Sequence, residues 1–555
     1  MNHQRLKSSI EIAQESRINP IRYISSMLGI DNFVELYGDY MAKISLDLLK
    51  KTSKKNNAKI ILVTAITPTR VGEGKTVTAI GLSQALWKIG KKNIVCLRQP
   101  SLGPTFGIKG GGAGGSRSQL QPMQEINLHF TGDFHAITSA NNLLAAILDN
   151  HVFHGNELKI DLNKVSWRRS LDMDDRALRR VIIGTDSTKR EESFQITAAS
   201  EVMAVLCMAQ NFDDLKGRLA RLVVAYTNDG RPITASDLMA HGAMALLLKD
   251  AIKPNLVQTL ENTPALVHGG PFGNVAHGAP TVISIKMASK LTDYVIVETG
   301  FGSDLGAEKF LHIVCPETGI IPSVAIIVVS IRALKMHGGM LKEDLTRENV
   351  ETVEKGIVNL EKHIQNMEQF GIPVVVALNK MPADTRAEVK VVEEFCKKRK
   401  TQFAESDVFE QGGKGGVELA RTVISTIGKE EHFTPLYKRN EGIKLKVHKI
   451  AKSVYGAGEV VYTEVAENAI ERIESLGFGG LPVCFAKTQF SLSDDPKKVG
   501  RPEGFTLTVT NATVSAGAGF TVVYAGEIMT MLGLPKSPAA EKMDIDAEGR
   551  IYGLF

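Results

Sequence analysis

The stretch Ile61 to Leu82, ILVTAITPTRVGEGKTVTAIGL, constrains the fold more than any other part of the chain. Ile61 to Ile66 is a short β-branched apolar run, as a strand buried on both faces requires. Thr67-Pro68 ends it, Gly72 and Gly74 relieve crowding, and a helix is predicted from Lys75 onward. A strand feeding a glycine-bearing loop and then a helix N-terminus is the recipe for a phosphate site. Loop N–H groups face the anion, the helix dipole favours negative charge, and Lys75 adds a cation. Thr69, Arg70, Val71, Gly72, Glu73, Gly74, Lys75 and Thr76 are the expected nucleotide loop, with the Thr76 hydroxyl placed for Mg²⁺. The G-x4-G-K-[ST] pattern carries Thr69 at its first glycine, so a glycine-bearing turn with a surface lysine is the alternative.

A chain of 555 residues can bury a large core and divide into several domains. A net charge of +5 is small for this length and no long basic stretch stands out, so nucleic acid is not implied. The first residues, MNHQRLKSSIEIAQES, lack the apolar core of a secretory signal, and no apolar run reaches membrane-spanning length. Cys96, Cys207, Cys315, Cys396 and Cys484 lie far apart without C-x-x-C spacing, as individually placed reduced thiols do. A cytoplasmic protein is expected.

Residues 1 to 57 read as helical and as cover for one edge of the core. Asn93 to Leu97 is a second strand, with Arg98 and Gln99 at its C-terminal end, where open α/β sheets place ligand groups. Gly103 to Pro122 holds seven glycines in twenty residues, expected to be backbone approaching a ligand, with Lys109 and Arg117 as charges, or else a surface loop. In NLHFTGDFH, Asp133 is the candidate for Mg²⁺ or substrate orientation. Glu261 to Gly278 reads as a loop built around a site. Asp293 to Gly302 is a strand whose Glu298 stands where a Walker-B-like carboxylate would, or is an ordinary strand-end acid. Val324 to Ser330 and Pro373 to Leu378 are further strands; Arg332, Lys335 and His337 follow the first, and Asn379-Lys380 after the second resembles an N-K base-reading element. Strands separated by helices imply a P-loop-containing, mostly parallel sheet with helices on both faces, plus smaller α/β C-terminal domains. The expected domains are 1–360 around the phosphate loop, 361–440 and 441–555.

TPTRVGEGKTVTAIGL, RQPSLGPTFGIKGG, INLHFTGDFHAIT, ENTPALVHGGPFGNVAHG, GFGSDLGAEKF, RALKMHGG, AKTQFSLSDDP, GRPEGF and GLPK, in this order, resemble the formate–tetrahydrofolate ligase family over most of the chain. That family also carries threonine at the first P-loop position. The resemblance implies that ATP with Mg²⁺ phosphorylates formate, and that N10 of tetrahydrofolate attacks the formyl phosphate to give 10-formyltetrahydrofolate, ADP and phosphate. It implies Lys75 and the loop on the ATP phosphates, Arg98 on the formyl phosphate, Asp133 completing the pocket, a homotetramer, and activation by a monovalent cation. Gln99, Met381 and Phe409 would fall at the folate side.

Departures from the family cluster on that side. Gln99 stands where many members carry glutamate and others glutamine, Arg117 where tyrosine is usual, and Met381 and Phe409 where phenylalanine and tryptophan sandwich the folate ring. Glu410, Gln411, Pro316 and Leu532 also differ. An altered acceptor such as dihydrofolate, a changed efficiency, or drift without functional change all fit. A P-loop ATPase or regulatory protein is the reading from another class.

Overall fold

The β-branched apolar runs within residues 59–65, 93–97, 294–298, 322–329 and 374–379 are short and bounded by turn residues, and they pair as parallel strands. A computed structural model describes residues 7–51, 58–69, 72–108, 112–185, 188–428, 433–526 and 528–554. Along the chain, the strands of its main sheet are β1 (Val34–Tyr37), β2 (Met41–Ile44), β3 (Lys59–Ala65), β4 (Asn93–Leu97), β5 (Gly114–Gly115) and β6 (Ser118–Gln121). They continue with β7 (Asn255–Thr259), β8 (Pro264–Val267), β9 (Tyr294–Glu298), β10 (Pro322–Val329), β11 (Val374–Asn379) and β12 (Gln402–Ser406). The spatial order is β1-β2-β7-β8-β4-β9-β3-β10-β11-β12, with β6 beside β7 and β5 beside β6. From β8 to β12 every neighbouring pair is parallel. The strands β1, β2 and β7 extend the sheet antiparallel at one side.

Alternate residues of β3 enter two cores. Ile60 and Leu62 join one apolar cluster, and Ile61, Val63 and Ala65 join the other. The helix α1 (Ser9–Glu15) and the helix α2 (Lys75–Lys88) lie on the second face, while Val350–Glu368 contributes Val353, Leu360 and Ile364 to the first. Helix α2 is buried from Thr78 to Leu86 because a second segment closes over it. A Cβ on Gly81 would fall 2.3 Å from Cβ of Val408, so glycine permits that approach. A separate four-stranded sheet, Glu459–Tyr462, Thr506–Ser515, Phe520–Ala525 and Val483–Ala486, has its own core around Tyr455, Phe485 and Leu507. The tail returns to the nucleotide side, where Ala539 N–H donates to Gly107 O at 2.8 Å.

Three expectations change. The segment before β3 is not helical throughout, since β1 and β2 form a hairpin at Gly38-Asp39 and add to the sheet rather than merely covering it. The stretch Glu261 to Gly278 contains β8, whose four residues PALV are too few to show a period. The glycine-rich stretch contains the helix Leu102–Phe106 and strands β5 and β6. No helix among the described residues is long and apolar enough to cross a membrane.

Candidate functional site at the strand C-termini

The phosphate loop follows β3. Gly72 and Gly74 adopt φ of 82° and 79°, left-handed values that glycine accepts without strain. Between them the Glu73 side chain turns inward, 2% exposed. Its carboxylate accepts from Thr69 N–H at 2.8 Å and from the Ser330 hydroxyl at 2.7 Å, tying the loop to itself and to the end of β10. Asn379, at the end of β11, donates to Glu73 O at 3.2 Å, and Arg332 donates to Gly72 O at 3.2 Å. Asn379 therefore anchors this loop; Lys380 is exposed. Lys75 and Thr76 open helix α2, where the dipole favours an anion. Arg70, Val71 and Lys109 lie outside the described residues.

Beneath the loop, Thr67 is held from three directions. Its N–H donates to Asn359 Oδ1 at 3.3 Å, its hydroxyl meets His363 Nε2 at 2.9 Å, and its carbonyl accepts from His337 Nε2 at 2.8 Å. His337 Nδ1 accepts from Gly500 N–H at 3.3 Å, and Asn359 donates to Gly500 O at 2.6 Å. Burial lowers His337 and carries His363 down to about 3, so both imidazoles are neutral bonding groups. Lys335 is likewise structural, buried against Glu388.

One strand from β3 is β9, and β4 lies beyond it. Arg98, at the end of β4, donates to Pro271 O at 2.9 Å, and its guanidinium lies against Gly300, where a Cβ would come within 3.1 Å of Nη1 and Nη2. Burial lowers the Arg98 pKa against the opposing pull of Glu298. Gln99 N–H donates to Gly269 O at 2.7 Å, while its buried Oε1 has no partner. Lys309, fully buried between two π-helical turns, donates to Gly273 O at 2.7 Å. His277 is buried in the same loop with neither ring nitrogen bonded. Thr69 Oγ1, Gln99 Oε1, Asn274 Oδ1, His277 and Asn379 Oδ1 are buried polar atoms without partners, all at the C-terminal side of the parallel strands. Native proteins leave few such groups, and a crevice that pairs them with ligand is a standing explanation.

Met381 and Phe409, the residues expected on the folate side, follow neighbouring strand ends, since Asn379 of β11 faces Ser406 of β12 in register. Met381 is half-buried, its N–H bonded to Asp384 at 2.8 Å; the Phe409 ring is 37% exposed. Arg117 N–H donates to Phe409 O at 3.2 Å, and the Ser118 hydroxyl to Val408 O at 2.7 Å, so the glycine-rich hairpin is sewn to that aromatic. Ser9 of helix α1 accepts from Ser116 N–H at 2.9 Å and closes the far side. A cavity of about 400 Å³ beside this seam is lined by Arg117, Gln411, Leu260, Glu261 and residues of the first helix.

Compared with known families, residues 7–555 match the model of formate–tetrahydrofolate ligase. The chain belongs to that family. As a formate–tetrahydrofolate ligase family member it is an ATP-dependent ligase of one-carbon folate metabolism, and the crevice along β4, β9 and β3 carries both a phosphate loop and a buried arginine. The structure brings Thr69, Glu73, Lys75, Thr76, Arg98 and Gln99 to this crevice rim.

Asp133 is engaged by side chains of the protein itself. It begins the helix Asp133–Phe153 but is 2% exposed, with Oδ1 bonded to Lys43 Nζ at 2.7 Å and Oδ2 to Asn255 Nδ2 at 2.7 Å. Oδ1 forms a buried ion pair and Oδ2 accepts an amide hydrogen bond, and together they join β2, β7 and this helix. His277 and Lys309, which the sequence did not single out, lie in glycine-flanked stretches beside Arg98. Mg²⁺ fits the residues present. The Thr76 hydroxyl, in the first turn of helix α2, and the Glu298 carboxylate, at the end of β9 beside β3, form no hydrogen bond among the described residues and are the donor pair that P-loop folds offer with the nucleotide's own oxygens. No cluster of three His, Cys, Asp or Glu side chains among the described residues could hold a metal by itself.

Proposed function

We propose that the enzyme makes 10-formyltetrahydrofolate through formyl phosphate. One observation carries this reading. The Thr299–Gly302 loop touches both halves of the crevice, with Gly300 against the Arg98 guanidinium and a Gly302 Cβ position 3.2 Å from Ile66 O at the start of the phosphate loop. An anion held by Arg98 therefore lies two strands from the ATP phosphates, across the end of β9. Formate alone is a poor electrophile because oxide would have to leave. A formate oxygen attacks the γ-phosphorus, the bond from that phosphorus to the β,γ-bridging oxygen breaks, and ADP departs. N10 of the folate then attacks the formyl carbon, the C–O bond to phosphate breaks, N10 loses its proton, and phosphate leaves.

The work of the chain is positioning and charge neutralisation. Loop N–H groups and Lys75 hold the nucleotide, and the planar fork of Arg98 matches two oxygens of the acyl phosphate. Mg²⁺, held by Thr76 and Glu298, supplies charge neutralisation on the nucleotide when bound. Met381 and Phe409 flank the pterin ring with less stacking surface than a phenylalanine–tryptophan pair. A homotetramer, activation by a monovalent cation, and a cytoplasmic setting belong to this reading; all five cysteines are buried and free, in keeping with a reducing compartment.

A coupled assay of ADP release, omitting ATP, formate and folate in turn, tests it. Release should require both formate and folate; release that ignores formate would point instead to an ATPase. Dihydrofolate in place of tetrahydrofolate, with the Met381→Phe/Phe409→Trp variant alongside, tests whether the folate wall was altered for another acceptor.

A further inference from the structure

Two histidines bound the loop His268–Gly278, and they are treated differently. His268 is fully buried and fully bonded, Nδ1 to Thr281 Oγ1 at 2.7 Å and Nε2 to Ala251 O at 2.6 Å. His277 is equally buried, yet both of its ring nitrogens are without partners. Burial in this loop thus leaves room for pairing, and an imidazole shut off from water with a donor and an acceptor both idle is costly.

Its surroundings say what it awaits. Burial first, and then the charges of Arg98, Lys309 and Arg218, all cationic, lower its pKa to about 3. A neutral imidazole therefore stands in an electropositive pocket. The adjacent Gly278 carbonyl accepts from Gly300 N–H at 2.8 Å, and Gly300 is the residue on which the Arg98 guanidinium rests. Lys309 is already spent on Gly273 O at 2.7 Å, from the same loop. Close by, the walls are main chain: a Cβ at Gly278 would lie 2.5 Å from Cα of Gly273. An anion between such groups offers acceptors only, so the imidazole meets it with N–H and leaves its lone pair toward the cations.

We infer that His277 is a binding group for the small carboxylate of the Arg98 pocket, donating a neutral N–H hydrogen bond to an oxygen of formate. The inference rests on the formate reading given above. Because the ring holds its single N–H proton across the working pH range, the bond orients the acid without moving a proton, and glycine walls leave space for one-carbon acids above larger ones.

The test uses the full-length enzyme with formate, ATP and tetrahydrofolate. His277→Ala should lower kcat/KM for formate 10- to 100-fold with KM for ATP within twofold, and His277→Gln, which restores an N–H, should recover most of that loss. The pH profile between 6 and 8 should keep its shape in His277→Gln. Equal losses toward formate and ATP, or an unchanged formate dependence, would overturn the role. Should His277→Ala not fold, wild-type protein labelled with ¹⁵N-histidine is titrated with formate. One ring nitrogen must shift as a neutral N–H resonance, and invariance of every histidine overturns the inference. This titration needs no turnover, so an enzyme that releases ADP without formate would sink the ligase reading separately.

Discussion

Removing the Glu73 carboxylate offers the sharpest perturbation of the nucleotide loop. Its two hydrogen bonds, to Thr69 N–H at 2.8 Å and the Ser330 hydroxyl at 2.7 Å, close a loop that otherwise depends on two left-handed glycines. Hydrogen bonds to a charged group contribute about 1.5–3 kcal/mol each, so Glu73→Ala forfeits at most ~6 kcal/mol of loop order. Water and loop relaxation return part of it, which leaves about 3 kcal/mol, or roughly a 100-fold weaker ATP complex. Glu73→Gln keeps an acceptor for Thr69 and gains a donor toward Ser330, and should lose no more than ~10-fold. An opposite effect competes: a carboxylate beside phosphates repels them, and its removal would tighten binding if Coulomb repulsion outweighed loop order. Calorimetric titration with ATP and Mg²⁺ decides between them. Tighter binding in both variants, or wild-type affinity in Glu73→Ala, would refute the loop-closure argument.

Other perturbations address single features. Lys43→Met strands Asp133, whose ion pair is buried on both sides, and should cost about 3–5 kcal/mol in urea unfolding, partly restored by Asp133→Asn in the same chain. Gly72→Ala meets nothing within 4 Å and should show only the left-handed strain of about 1–2 kcal/mol, whereas Gly74→Ala sets a Cβ 2.2 Å from Asn379 Nδ2 and should abolish ATP binding; equal effects would argue against that contact. Burial raises Glu201 from 4.5 to about 7, so its folded carboxyl holds its proton more tightly than the unfolded one. Stability from this group is full below about pH 4.5 and lost as pH rises through 7, by at most ~3 kcal/mol, and Glu201→Gln should flatten that part of the melting profile.

The phosphate-loop unit was legible to within a few residues because its signal is local: β3 ends at Ala65 and α2 starts at Lys75, where the apolar run and the glycines put them. The family resemblance carried the activity, since nothing in periodicity distinguishes formate from another acid. Pairings between distant residues stayed hidden. Asp133 could be singled out as a candidate, but its partner Lys43 lies 90 positions earlier, in a strand whose four residues show no period. His277 looked like one polar residue among several, and only the full bonding of His268 nearby makes its idle nitrogens informative.

The clamp on Thr67 has a consequence for biosynthesis. Strand β3 leaves the ribosome early, but Thr67, two residues beyond its end, is satisfied by His337, Asn359 and His363, and two of these are in turn fixed by Gly500. At roughly 5–20 residues per second, Gly500 emerges on the order of a minute after Thr67. Throughout that interval the nascent nucleotide loop rests on an unfinished floor. A ribosome-bound chain stopped before Gly500 should therefore hold ATP poorly although every residue of the loop is already present, and nucleotide capture marks the end of synthesis, not its beginning.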